Sequence, residues 1–206
     1  DDGPSVTASS AGVIHDETPG NQGDADDTSA ALPAAFSTRL TALSVGSEIG
    51  HAQGGTSEVT FDAGTDGLKN VALTDSTGGS LGGVDSGLDK TGGFSIFLYT
   101  DSVNDNIVLG REGTNDTTAS ASGAIVFALY LDQGTGELWL TQYAAIEHPT
   151  PGASHDESAS ITSGLIHVTV TDNDDDTAIS AGAVAVTFQD DGPSVTASSA
   201  GVIHDE

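Results

Sequence analysis

The chain of 206 residues contains no cysteine, and its basic residues number only four: Arg39, Lys69, Lys90 and Arg111. The first absence removes disulfides, so a chain of this kind working outside a cell needs another staple. The second leaves 31 acidic residues almost unopposed, for a formal net charge of −27. Nucleic acid is excluded as a partner, because neutralising phosphates requires a basic surface. An anionic membrane is disfavoured for the same reason. Long hydrophobic runs are also missing. The longest, Ala124 to Leu131, falls far short of the roughly 20 residues that span a bilayer, and no signal peptide is visible. This predicts no membrane insertion. Catalytic signatures are lacking too. There is no HExxH, CxxC or GxSxG, and nothing singles out one carboxylate pair among the 31 as acid and base. The expectation is a protein that is not an enzyme.

What is present is a repeat. Residues Asp1 to Glu17 return letter for letter as Asp190 to Glu206, so the second copy starts 189 residues after the first. A period of that length is too long for a solenoid unit of 20 to 50 residues. Each unit is therefore a domain, and neighbouring repeats of the same chain are its expected partners. Residues 1–5 read as a linker, because Gly3-Pro4 continues neither a helix nor a central strand. Residues 6–189 read as the repeat domain, and residues 190–206 as the next linker with the start of the following repeat. Two sub-domains, divided inside the glycine-rich residues 75–93, are an alternative.

Within the domain the signals are those of strands. Val6 to Ala8, Val13 to His15, Glu58 to Phe61 and Val71 to Thr74 are short candidates. Phe94, Ile96 and Leu98 share one face of an alternating run, and Ala124 to Leu131 is apolar on both faces, as in a central strand. Asp132 to Gly136 turns that run into Glu137 to Thr141, a hairpin. Two late strands, Leu165 to Thr171 and Ala183 to Gln189, point Ile166, Val168, Val170 and Val184, Val186, Phe188 inward. Residues 75–93, with three Gly-Gly pairs, read as loops. Residues 30–45 could hold a short helix. The fold class that follows is all-β, an antiparallel β-sandwich of immunoglobulin-like or Greek-key type with calcium-binding loops.

The acidic residues are clustered. Asp172-x-Asp174-x-Asp176 puts carboxylates at alternate positions of a tight loop, and Ca²⁺ takes six to eight oxygens from such groups. It is not an EF-hand, because Thr177 and Ala183 stand where glycine and glutamate belong. Asp1-Asp2 and Asp190-Asp191 mark the linkers, where adjacent like charges favour a cation between them. Strand length separates the acidic loop from the exit linker. The expected joint therefore brings Asp1 and Asp2 to Asp172, Asp174 and Asp176. Asp24, Asp26 and Asp27 form a further candidate calcium loop with Asp16 and Glu17 as helpers, and Asp101, Asn104 and Asp105 a weaker one. The shared tripeptides His15-Asp16-Glu17 and His155-Asp156-Glu157 place histidine at the surface, without zinc spacing. Trp139, Tyr99, Tyr130 and Tyr143 could line a sugar platform, but packing between strands is the stronger reading.

Val168 to Ala178, Val184 to Pro193, Ile14 to Thr18 and Leu131 to Leu138 resemble the repeats of giant RTX adhesins of Gram-negative bacteria. The resemblance covers both ends of the chain and little of residues 30–120, and the unit is longer than many such repeats. It implies type I secretion without an N-terminal signal, and β-sandwich extender domains that bind Ca²⁺ in loops and linkers. It also implies an extracellular place on the bacterial surface, anchored at the outer membrane through other parts of the parent protein. The role implied is that of a monomeric spacer holding a distal ligand-binding region outward for attachment and biofilm formation. A calcium-dependent glycan- or surface-binding module is the alternative.

Overall fold

The computed structural model describes residues 2–8, 12–56, 58–149 and 157–191. Asp1, His155, Asp156 and the second copy from Gly192 onward lie outside them. The described chain runs β1 (Ser5–Thr7), β2 (Gly12–Asp16), α1 (Ala34–Ala42), β3 (Gly50–Gln53), β4 (Thr60–Asp62), β5 (Leu68–Thr74), β6 (Gly82–Asp89) and β7 (Ser95–Thr100). It continues with β8 (Ile107–Glu112), β9 (Ile125–Leu131), β10 (Leu138–Gln142), β11 (Ser158–Ser160), β12 (His167–Asp172), β13 (Thr177–Ile179) and β14 (Ala185–Gln189). The fold is all-β and sandwich-like, as the alternating runs predict. The first strand starts at Ser5, one residue earlier than the linker boundary read from Gly3-Pro4.

One layer is a six-stranded sheet in the order β3-β10-β9-β8-β7-β6, antiparallel throughout. Strands β6 to β10 form a meander, each joined to the next by a local turn. Facing it are two three-stranded sheets, β11-β14-β2 and β13-β12-β5, with the short pair β1-β4 alongside. Leu98, Val108, Leu129 and Leu140 from the large sheet pack into one core with Leu73, Val168, Val170, Val186 and Phe188. Phe127 meets Phe188 across the layers with ring centroids 5.1 Å apart. Each such side chain contributes about 1.5–3 kcal/mol on burial, and this supplies the stability that disulfides cannot.

Strand β9 is apolar on both faces because its sheet is covered twice. Helix α1 lies on the outer face, where Phe36 and Leu40 pack on Ile107, Leu109, Ala128, Tyr130 and Trp139. Phe36 stacks on Tyr130 at 5.0 Å. Trp139 is therefore packed under the helix, 5% exposed, and forms no sugar platform.

Two expectations need correction, and one pairing could not be read from the sequence. Residues 75–93 are not all loop, because Gly82–Asp89 is the edge strand β6. Its glycines hide it from an alternation test. Gly83 and Gly87 take φ of +92° and +79°, and the register with β7 shifts between Asp85 and Asp89, so the strand is bulged. Strands β12 and β14 are not neighbours. The acidic turn folds β12 back onto β13, while β14 joins another sheet, pairing in parallel with β2. Phe94 does not join Ile96 and Leu98 in the core; it is 42% exposed just before β7 begins.

Candidate metal centre

Strand β12 runs out of the core into the acidic turn, and its last residue, Asp172, stays fully buried. The ladder with β5 slips between Thr171 and Asp172, which then stands opposite Leu68. The turn that follows is tied to the Asp172 side chain. Asp176 N donates to Asp172 Oδ1 at 2.9 Å, and Asp175 N to the Asp172 carbonyl at 3.3 Å. Asp175 supplies the left-handed residue that closes the turn, with φ of +77°. The other carboxyl oxygen, Asp172 Oδ2, is enclosed and has no hydrogen-bond partner.

Pairing of β12 with β5 brings in a residue that sequence spacing does not reveal. Asp66 lies in the turn just before β5, where Asn173 Nδ2 donates to its carbonyl at 2.7 Å and Asn173 N donates to the Gly67 carbonyl at 3.1 Å. Asp66, Asp172 and Asp174 each present a carboxylate oxygen, and the three oxygens lie within 4.8 Å of one another. The Asp174 carboxyl is raised from its ordinary value, first by the Asp172 carboxyl close beside it, then by desolvation and by repulsion from Asp172, Asp176 and Asp66. Hard oxygen donors in a rigid turn suit Ca²⁺ better than a softer metal. The three carboxylates have the donor type a calcium ion takes; Asp172 would hold it from the core side and Asp66 and Asp174 from the rim. Lys69 pairs with Asp175 on the exposed outer edge of the turn.

The leading linker lies beside this turn. A Cβ on Gly3 would stand 4.0 Å from Asp176 Oδ2, and the Asp2 carbonyl packs directly on Gly64, which has φ of +71°. Asp2 and Asp176 are thus adjacent to the cluster without belonging to its three convergent oxygens. Asp190 and Asp191 lie at the other boundary. Asp190 N donates to the Glu157 carbonyl and Glu17 N to the Gln189 carbonyl, both at 3.0 Å.

In the candidate loop of Asp24, Asp26 and Asp27, two of the carboxylates are engaged by the backbone and His15 of β2. Asp26 Oδ2 accepts from Ile14 N at 2.8 Å. Asp27 Oδ1 accepts from His15 Nδ1 at 2.6 Å and from Asp16 N at 3.3 Å. These carboxylates brace β2, and Asp24 stays exposed. His15 is not on the surface but 2% exposed, held by Asp27 and covered by the bare backbone of Gly50. Asp16 and Glu17 are buried rather than free to help a loop. Asp16 Oδ1 accepts from Thr18 N at 2.6 Å. Glu17 Oε1 accepts from Ile146 N at 2.8 Å and from the Gln142 amide. Burial pushes the Glu17 carboxyl up to about 7, with Asp191 and Asp190 adding to the rise. Asp101 is taken by Arg39, whose Nε and Nη2 donate to its two oxygens at 2.8 and 2.7 Å, and Asp105 by Asn70 Nδ2 at 2.7 Å. Among the described residues, Asp66, Asp172 and Asp174 form the one group with convergent metal-ligand geometry.

A family model described as "Domain of unknown function (DUF5801)" matches residues 12–184. No curated protein and no solved structure matches the chain.

Proposed function

The chain belongs to the DUF5801 family, and we propose that it is a calcium-stabilised extender repeat of a secreted bacterial surface adhesin, a spacer rather than an enzyme. The observation that carries this reading is the convergence of one carboxylate oxygen each from the fully buried Asp172 and the exposed Asp66 and Asp174, beside the leading linker. An ion there ties β12, the turn before β5 and the start of the domain into one rigid block. The verbatim return of residues 1–17 at 190–206 gives every boundary in an array the same chemistry, which is what a spacer requires. Such a chain stays loose at the low Ca²⁺ of a cytosol. It tightens outside, where the array projects a distal binding region from the cell for attachment and biofilm formation. With free Ca²⁺ of about 10 mM and Kd of about 10⁻⁴–10⁻³ M, one site contributes about 1.4–2.7 kcal/mol.

Small-angle scattering of a two-unit chain tests the reading. In Ca²⁺ the particle is longer and stiffer than in EDTA at matched ionic strength. An unchanged profile, together with a melting curve that follows NaCl and ignores Ca²⁺, would leave only the acidity of a salt-adapted protein. The second reading is a glycan- or surface-binding module, and a cleft beside α1 favours it.

A further inference from the structure

Three of the four cations are paired with carboxylates: Arg39 with Asp101, Lys69 with Asp175 and Lys90 with Glu112. Among the described residues Arg111 has no carboxylate partner. Its Nη1 donates to the Gly123 carbonyl at 2.8 Å, and none of its remaining N–H groups is enclosed without a partner. Asp101 cannot serve it. Oδ1 of Asp101 accepts from Arg39 Nη2, and Oδ2 accepts from Arg39 Nε, Val103 N and Asn104 N.

Arg111 forms part of the wall of two adjoining clefts beside Leu43, at the end of α1. One, of about 310 Å³, also has Arg39, Tyr99, Thr100 and Ser102 in its wall. The other, of about 440 Å³, has Ser122 and Tyr143. In a chain of 31 acids, the second cleft has no carboxylate in its lining and the first has only the neutralised Asp101. The place where negative charge is missing is the place where a guanidinium is free. Partial burial lowers the Arg111 pKa, the charges of Asp101 and Tyr99 oppose the fall and Arg39 adds to it, and arginine stays charged at any working pH.

We propose that this cleft binds a carboxylate-bearing saccharide, a uronate or similar sugar acid. Arg111 takes the carboxylate as a planar fork, the geometry guanidinium offers and ammonium does not. The hydroxyls of Tyr99, Ser102 and Ser122 meet sugar hydroxyls, and the half-buried Leu43 offers apolar wall to the C–H face. Volumes of this size hold one or two sugar units. The surrounding negative field slows the approach of an anion, and salt of about 0.15 M screens it beyond about 8 Å. The site does not depend on calcium at Asp172, so either proposal can fail alone.

The test is saturation-transfer NMR and calorimetry on the 206-residue chain in Ca²⁺ buffer. The probes are sodium glucuronate and galacturonate, with glucose and acetate as controls. Expected are binding of the uronates above both controls and a loss of roughly 10- to 100-fold in Arg111→Gln. Arg111→Lys should fall between, keeping charge without the fork. In the unmutated chain, uronate should protect Arg111 from phenylglyoxal, mapped by mass spectrometry, which covers the case of a variant that fails to fold. Equal binding of glucose or acetate, full binding by Arg111→Gln, or modification of Arg111 unaffected by uronate would each overturn the proposal.

Discussion

Replacing Asp172 by Asn separates the cost of the buried carboxylate from its use. In the absence of metal, Asp172 keeps one oxygen on Asp176 N at 2.9 Å and the other enclosed without a partner. An unsatisfied buried polar atom costs about 1–3 kcal/mol, and more when charged. Asn retains the acceptor for Asp176 N and removes the charge. Its amide NH₂ then donates toward Asp174. In EDTA, Asp172→Asn should melt at or above the unmutated chain. In 10 mM Ca²⁺ the order reverses. The unmutated chain gains about 1.4–2.7 kcal/mol per site, and for a domain of this length 1 kcal/mol moves the midpoint by about 2–4 °C. The expected rise is about 3–11 °C, against almost none for the variant. The assay is differential scanning calorimetry in EDTA, Mg²⁺ and Ca²⁺ at constant ionic strength. An equal Ca²⁺-dependent rise in both proteins would refute the reasoning, since the core-side ligand would then be dispensable.

Other outcomes follow from the same geometry. Asp66→Asn should lose the same calcium response, because pairing of β5 with β12 puts this residue in the site; a calcium-binding isotherm reads it directly. Glu17 has a folded pKa of about 7, above the 4.5 of an unperturbed glutamate, because burial disfavours the charge. The folded state therefore holds an extra proton between those values, and stability falls as pH rises from about 4.5 to 7, by on the order of 3 kcal/mol. Glu17→Gln should flatten that slope in urea melts. Gly64→Ala places a side chain at φ of +71° and against the Asp2 carbonyl. A loss of 1 kcal/mol or more is expected, with faster proteolysis at residues 2–5. Phe188→Ala empties the space beside Phe127 and should cost about 3–5 kcal/mol.

The strands that could be read from the sequence are those whose side chains obey a period of two against one core. In β12 and β14, Val168, Val170, Val186 and Phe188 are fully buried as the alternation requires. Strand β9 was legible as central because both its faces are apolar, although nothing in the sequence says that a helix supplies the second cover. Strand β6 escaped because Gly83 and Gly87 replace alternation with bulges. The burial of His15 and Glu17 escaped because their partners, Asp27 and Gln142, are set by folding. The acidic turn was legible as a calcium candidate, since Asp172 and Asp174 are close in sequence. Asp66 was not, because it reaches them across more than a hundred residues of chain through the β5–β12 ladder. A Thr65-Asp66-Gly67 turn directly before a strand was the one local hint.

The parallel pairing of β2 with β14 bears on how such a unit behaves under load. Gly12 lies opposite Ala185 and Asp16 opposite Gln189, so the first long strand and the last run side by side in the same direction. Tension along the chain pulls β2 from its Gly12 end and β14 from its Gln189 end. These ends are opposite, so the force acts in shear along the shared ladder. Its hydrogen bonds must then yield together rather than open one after another from a free edge. The β2–β14 ladder is thus loaded in the direction in which paired strands resist most.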